Sequence, residues 1–256
     1  VIHMASITLD KKEWLKHLGQ FGESVNDLKL ILTESKLSYS VGFQTHYLSV
    51  TQTYPQSVKK AGDIYISSLD KVCAFLKKCE GLVTLKQMVN GKTLYISSGN
   101  FKMQLPVTDC KSTQMIPTYE RLVKKAEKSM WESFGQDDYT LHGKVEMKEI
   151  LKLASLKRLM DKNADFVIVA NADSEELSVS AGKQHTVKLF ASSKLIDVEG
   201  PKHSLTSNYG PWLLPCLSLV DNTLESTIHF GMATGLVVQQ STDACERLLI
   251  IIDQEE

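Results

Sequence analysis

The stretch that decides the fold is residues 64–107, IYISSLDKVCAFLKKCEGLVTLKQMVNGKTLYISSGNFKMQLPV. It opens on a short β-rich run, Ile64-Tyr65-Ile66, and Ser68 is placed to cap a helix from Leu69 to Lys78. Leu69, Val72, Cys73 and Leu76 share one face of that helix at i, i+3, i+4 spacing, and Gly81 stands where helices commonly end. Three strands follow. Val83–Val89 and Thr93–Ser97 flank Asn90-Gly91, the strongest short-range hairpin signal, and Gly99-Asn100 turns the chain into Phe101–Val107. The unit is therefore one strand, one amphipathic helix and a three-stranded meander.

The same unit occurs four times along the chain. The first copy begins at Ser6-Ile7-Thr8-Leu9. Asp10 is its predicted N-cap, Glu13 the capping-box partner, and the helix Lys11–Phe21 turns Trp14, Leu15, Leu18 and Phe21 inward. Strands are expected at Leu28–Glu34, Leu37–Val41 and Tyr47–Thr53. The third copy starts near Tyr139, with a helix over Met147–Met160 and strands at Phe166–Ala170, Glu176–Ser180 and Val187–Ala191. The fourth starts near Ser204. Pro215 shortens or kinks its helix Trp212–Val220, and Ser226–Phe230, Leu236–Ser241 and Arg247–Ile252 close the chain. Few helices and many strands make this an α+β chain of two similar domains, each of two βα-units. The expected domains are residues 5–110 and 138–256, joined by a connector at 111–137 that is helical over Tyr119–Trp131.

Composition agrees with a globular chain. In 256 residues the hydrophobic fraction is 43% and the charged fraction 23%, which excludes disordered and fibrous classes. No apolar run approaches the ~18 residues of a spanning helix, so no membrane role is expected. No signal peptide is visible, and Val1-Ile2-His3-Met4 has the look of a cloning remnant before a native Met4. Five cysteines without a Cys-x-x-Cys pair argue against a disulfide framework or structural zinc and for a reducing compartment.

Enzyme signatures are missing. Gly91-Lys92-Thr93 ends like a phosphate loop, but Lys86 stands where that loop needs glycine. There is no Gly-x-Ser-x-Gly elbow, and the seven histidines are scattered rather than spaced as metal ligands. Gly231-x-x-x-Gly235 lies outside any apolar 20-mer, and carboxylate pairs such as Glu175-Glu176 sit in loop-like contexts. Neither a catalytic residue, a metal nor a cofactor is expected.

Charge is uneven. Residues 1–117 hold 14 basic and 9 acidic side chains, whereas residues 138–256 hold 11 and 17. The basic residues concentrate on helices: Lys11, Lys12 and Lys16 in the first copy, Lys71, Lys77 and Lys78 in the second, and Lys144, Lys148, Lys152, Lys157 and Arg158 in the third. The bland explanation is a set of solvated amphipathic faces. Their recurrence in three copies, without interleaved aromatics, points instead to duplex phosphates held without base readout. The fourth helix has no Lys or Arg.

Two stretches, residues 62–107 and 208–256, carry a family resemblance. The first ends in Asn100-Phe101-Lys102-Met103-Gln104-Leu105-Pro106-Val107. The second holds Gly235-Leu236-Val237-Val238, then Leu248–Ile252 and an acidic tail Asp253-Gln254-Glu255-Glu256. In architecture and length, over residues 5–256, the chain resembles the two-domain DNA sliding clamps that form trimeric rings, the proliferating-cell-nuclear-antigen family and the tailed-phage polymerase clamps. The resemblance implies a clamp fold with helices lining a hole and sheets forming the outer wall. It implies a processivity factor that encircles double-stranded DNA without sequence specificity and tethers a DNA polymerase, with ATP used by a separate clamp loader.

Carried onto this sequence, Lys11, Lys12, Lys16, Lys71, Lys77, Lys78, Lys148, Lys152, Lys157 and Arg158 would face DNA. Strand Phe101–Leu105, through Phe101, Lys102, Met103 and Leu105, would pair with Val187, Leu189 and Ala191 of the next copy in a head-to-tail homotrimer. Val41, Leu48, Met115, Ile116, Leu236, Leu249 and Ile251 would form the pocket for partner proteins. The implied location is intracellular at replicating DNA: the cytoplasm or nucleoid of a bacterial host for a phage protein, the nucleus for a eukaryotic one. Two other readings stay open at this point, a clamp-like accessory subunit that binds DNA by charge without closing a ring, and an unrecognised enzyme on an α+β scaffold.

Overall fold

Each expected meander forms, and each is preceded by its strand and helix. The computed structural model describes residues 4–108, 110–182 and 187–254. His3, His185, Glu255 and Glu256 lie outside the described residues. The chain divides into two units, Val1–Gly42 with Ser49–Ile116 and Asp243–Glu246, and Phe43–Leu48 with Pro117–Thr242 and Arg247–Glu256.

The first unit runs β1 (Met4–Asp10), α1 (Lys11–Leu18), β2 (Leu28–Leu32), β3 (Lys36–Gly42), β4 (His46–Thr53), β5 (Val58–Lys60), β6 (Gly62–Ile66), α2 (Leu69–Lys78), β7 (Leu82–Met88), β8 (Thr93–Ser98) and β9 (Phe101–Pro106). One sheet has the order β5-β1-β7-β8-β9, and β4, β3, β2 and β6 are successive neighbours in another. Strand alternation sets the core: Ala5, Ile7, Leu9, Val83, Leu85, Leu94 and Ile96 are buried, and their sequence neighbours face the other way. Buried Gln87 staples the hairpin, donating to Gly91 O at 3.1 Å and accepting from Tyr65 N–H.

α1 starts as expected, with the Asp10 carboxylate accepting from Lys12 N–H at 2.8 Å. Glu13 does not complete a capping box, because its carboxylate accepts from the Tyr54 hydroxyl at 2.8 Å. The helix ends at Leu18, and Gly19–Phe21 tightens into a 3₁₀ turn. Trp14 anchors it: fully buried, it donates from Nε1 to Val83 O at 2.9 Å. α2 begins at Leu69 without a side-chain bond from Ser68, and Leu69 N–H instead donates to Asn26 O at 2.9 Å. Gly81 adopts the left-handed φ of +64° that follows a helix end without a Cβ penalty.

The second unit runs α3 (Ile116–Lys128), β10 (Ser133–Phe134), β11 (Asp137–Asp138), β12 (Leu141–Val145), α4 (Lys148–Leu151), β13 (Phe166–Asn171), β14 (Glu176–Ala181), β15 (Leu189–Glu199), β16 (Leu205–Tyr209), α5 (Leu213–Leu217), β17 (Ser226–Phe230), β18 (Leu236–Ser241) and β19 (Cys245–Ile251). Its pairing repeats that of the first unit. β12 pairs with β17 and β15 as β1 pairs with β7 and β5, and β13 pairs with β14 and β16 as β2 pairs with β3 and β6. β15 is longer than expected, because its first half pairs with β14 and its second half with β12.

The third helix differs most from expectation. Only Lys148–Leu151 is α-helical, and Lys152–Leu159 is 3₁₀. Met147 and Ile150 are buried at the α-helical end, and Leu153 is the buried residue of the 3₁₀ run. α5 is five residues long around Pro215. No helix is long and apolar enough to cross a membrane among the described residues.

Candidate nucleic-acid interface

α1 and α2 lie against each other, and the expected cations sit on their exposed sides. Lys12, Lys16, Lys71, Lys77 and Lys78 are exposed. Lys11 is not available in the same way. It is half-buried, and its ammonium donates to Lys77 O at 3.2 Å and Cys79 O at 2.8 Å, closing the last turn of α2. This corrects its place among freely presented cations: it joins two helices, and its partners lie 66 and 68 positions away, beyond any local pattern.

In the second unit Lys148, Lys152, Lys157 and Arg158 are all exposed. Lys152 meets both carboxylate oxygens of Glu149, at 2.7 and 2.6 Å, which reduces what it offers an anion. Lys144 likewise faces Asp197 at 3.3 Å and Glu225 at 3.8 Å. α5 buries Leu213, Leu214, Cys216 and Leu217 and carries no cation.

A fourth basic face went unread in the sequence. The exposed side of α3 carries Arg121, Lys124, Lys125 and Lys128, related by i+3, i+4 and i+7. The signal was present, but the equal number of acids across residues 118–137 concealed it. The other side of α3 is buried through Tyr119, Val123 and Ala126. Tyr119 stacks on Tyr47 at 5.0 Å and donates its hydroxyl to Phe43 O at 2.6 Å. After the helix, Trp131 stacks on His229 at 5.4 Å. His229 lies 2.8 Å from His142, Nδ1 to Nδ1, and its Nε2 lies 2.7 Å from Gln239 Oε1.

These histidines fix how the second unit responds to acid. Burial pulls the His229 imidazole down to about 4, against a rise from Gln239 and with a further lowering from His142. Burial lowers His46 to about 4 and also lowers His142, against the pull of Glu199 and Glu132. A folded pKa below the unfolded value means the unfolded chain binds more protons. Stability is therefore complete above pH ~6.5 and is lost as pH falls toward ~4, by about 3 kcal/mol for each of His46 and His229. Urea midpoints recorded across that range should fall accordingly, and His46→Phe with His229→Phe should flatten the profile. A pH-independent midpoint would contradict the burial argument.

Of the seven residues assigned to a partner pocket, Val41, Leu48, Leu236, Leu249 and Ile251 are buried at 1% exposure or less. They are core side chains, which corrects their assignment as contact residues; alternation buried them for packing. Met115 and Ile116 are partly exposed.

The strands assigned to a subunit contact have a different character. β9 pairs with β8 along Phe101–Pro106, and the first half of β15 pairs with β14. Phe101 is 63% exposed and Val187 57%, with Lys102 exposed, Met103, Leu189 and Ala191 half-buried and Leu105 buried. Phe190, not anticipated from the sequence, is 73% exposed. Val187 lies just before β15 rather than in it.

No family model and no curated protein sequence matches the chain. Solved structures do. The PCNA of Thermococcus kodakaraensis superposes with a TM-score of 0.69 at 14% identity, over 98% of this chain and all of that one. The proliferating cellular nuclear antigen of Entamoeba histolytica gives 0.67 at 10% identity, over 98% and 99%. The A. fulgidus PCNA bound to the C-terminal region of FEN-1 gives 0.67 at 13%, over 98% and 99%. The chain has the fold of the PCNA clamps along nearly its whole length.

Proposed function

We propose that the chain is a DNA sliding clamp, a processivity factor that closes around duplex DNA as a head-to-tail ring of three copies. The observation that carries the reading is the whole-length likeness to PCNA clamps in a chain whose helices expose lysines in both units. Lys12, Lys16, Lys71, Lys77, Lys78, Lys148, Lys157 and Arg158 would meet phosphates as point charges, with Lys152 contributing less because of Glu149. Weak contacts suffice, since escape from a closed ring requires opening it rather than losing contacts. The reading assigns no catalytic residue; a polymerase would be the tethered partner, and a loader would spend the ATP. One neighbour, the A. fulgidus PCNA, binds the C-terminal region of FEN-1. A short partner segment of that kind would dock here beside Met115 and Ile116, the partly exposed members of the expected pocket.

Topology separates this reading from binding by charge alone. Protein assembled on nicked circular duplex should stay with the DNA through gel filtration in high salt and be released when the circle is cut. Equal loss from circular and linear DNA would contradict the ring. Replacing Lys12, Lys16, Lys71, Lys77 and Lys78 by alanine should lower affinity for short duplexes and reduce the salt slope by ~0.9 for each phosphate contact removed. An unchanged slope would remove these helices from the DNA-facing set.

A further inference from the structure

A second cationic surface lies on strands rather than helices. In the five-stranded sheet of the first unit, register places Lys60, Ser6, Lys86, Tyr95 and Gln104 side by side across β5, β1, β7, β8 and β9. The next row holds Thr8, Thr84, Ser97 and Lys102. These positions alternate with the buried Ile7, Leu85 and Ile96, so they form the face away from that core. A trough of about 520 Å³ runs along β5, β1 and β7, lined by Lys59, Lys60 and Lys86 together with Ser6, Thr8 and Thr84, and by Met4 and Met88. Lys60, Lys86 and Lys102 are exposed, and none forms an ion pair among the described residues. Lys59 donates to Gln56 O at 2.9 Å and forms no ion pair among the described residues. The one acid in these five strands is Asp10, at the end of β1, where it caps α1.

We propose that this sheet face binds single-stranded nucleic acid. All its cations are lysines. Lysines meet a phosphate as point charges, without fixing its orientation or reading a base. The Thr8 and Thr84 hydroxyls bond each other at 2.8 Å, which leaves one hydrogen between them, and that hydroxyl pair and Ser97 add groups of the kind that position a sugar–phosphate backbone. Tyr95 is 38% exposed between Lys86 and Gln104, an aromatic ring set beside cations on an open sheet. A single strand offers unstacked bases to that ring, and a closed duplex does not. The face spans about 19 Å across five strands at ~4.8 Å each, enough for a short segment of extended strand. The site is separate from the helix lysines and does not depend on ring closure.

The test is fluorescence anisotropy with a labelled oligo-dT. Lys59→Ala, Lys60→Ala and Lys86→Ala together should weaken binding at least tenfold and reduce the salt slope by about 2, at ~0.7 per contact on a single strand. Tyr95→Ala should weaken binding at least fivefold with the slope unchanged, which a purely electrostatic surface would not do. Retention of circular duplex should be unaltered in both variants. Wild-type affinity in the triple-lysine variant would overturn the proposal, as would loss of oligo-dT binding only when the α1 and α2 lysines are removed. Poly-glutamate competing as well as oligo-dT would overturn it in favour of an acidic peptide. A triple-lysine variant that sediments at lower mass than the wild type would overturn it in favour of a contact between copies.

Discussion

Phe101→Asp combined with Phe190→Asp should convert the proposed ring to single chains in sedimentation velocity. The expectation follows from the two strand edges. β9 is the last strand of its sheet, and among the described residues the first half of β15 pairs with β14 alone, so the other backbone groups of each can take a further strand. Each edge carries an aromatic ring more than half exposed, Phe101 at 63% and Phe190 at 73%. Covering such a ring contributes on the order of 2–3 kcal/mol. Aspartate removes that gain and places a charge where the proposed contact would exclude water, a further cost of a few kcal/mol. Two such changes in every contact exceed what a reversible strand-to-strand interface can absorb. Phe101→Leu with Phe190→Leu should keep the assembly, because the buried area largely persists. A double aspartate variant that sediments like the wild type would place the contact between copies elsewhere.

Trp14→Ala should destabilise the first unit by about 4 kcal/mol, measured by urea unfolding. Truncating a large buried aromatic costs ~3–5 kcal/mol in transfer and cavity terms. The Val83 carbonyl also loses the indole N–H that satisfies it at 2.9 Å. Trp14→Phe should cost much less, since most of the apolar volume remains. Because Trp14 fixes α1 to β7, the alanine variant should also weaken duplex binding through a loosened Lys12 and Lys16. A loss below 1 kcal/mol for Trp14→Ala would mean that α1 is held chiefly by Lys11 on the end of α2.

The meanders were legible because their signals are local. Asn90-Gly91, Gly81 and the alternation of Val83, Leu85 and Gln87 each act within a few residues, and the repetition of one unit reinforced every reading. What stayed hidden depends on partners distant in sequence. Lys11 was read as a surface cation because the carbonyl of Cys79 that holds it is invisible locally. β5 is three residues long and takes its strand geometry from β1. The 3₁₀ run Lys152–Leu159 was read as α-helix because spacings of three and four look alike over two turns. The buried Val41, Leu48, Leu236, Leu249 and Ile251 show the limit of reading apolar residues as a pocket, since alternation marks the core and a docking surface in the same way. The lysine face of the five-stranded sheet needed the register of β5 through β9, which no one strand reveals.

Electron microscopy of the unmodified chain should give class averages of a closed annulus built of three copies, with an aperture wide enough for a duplex. Particles of one chain, or assemblies with no aperture, would contradict the ring.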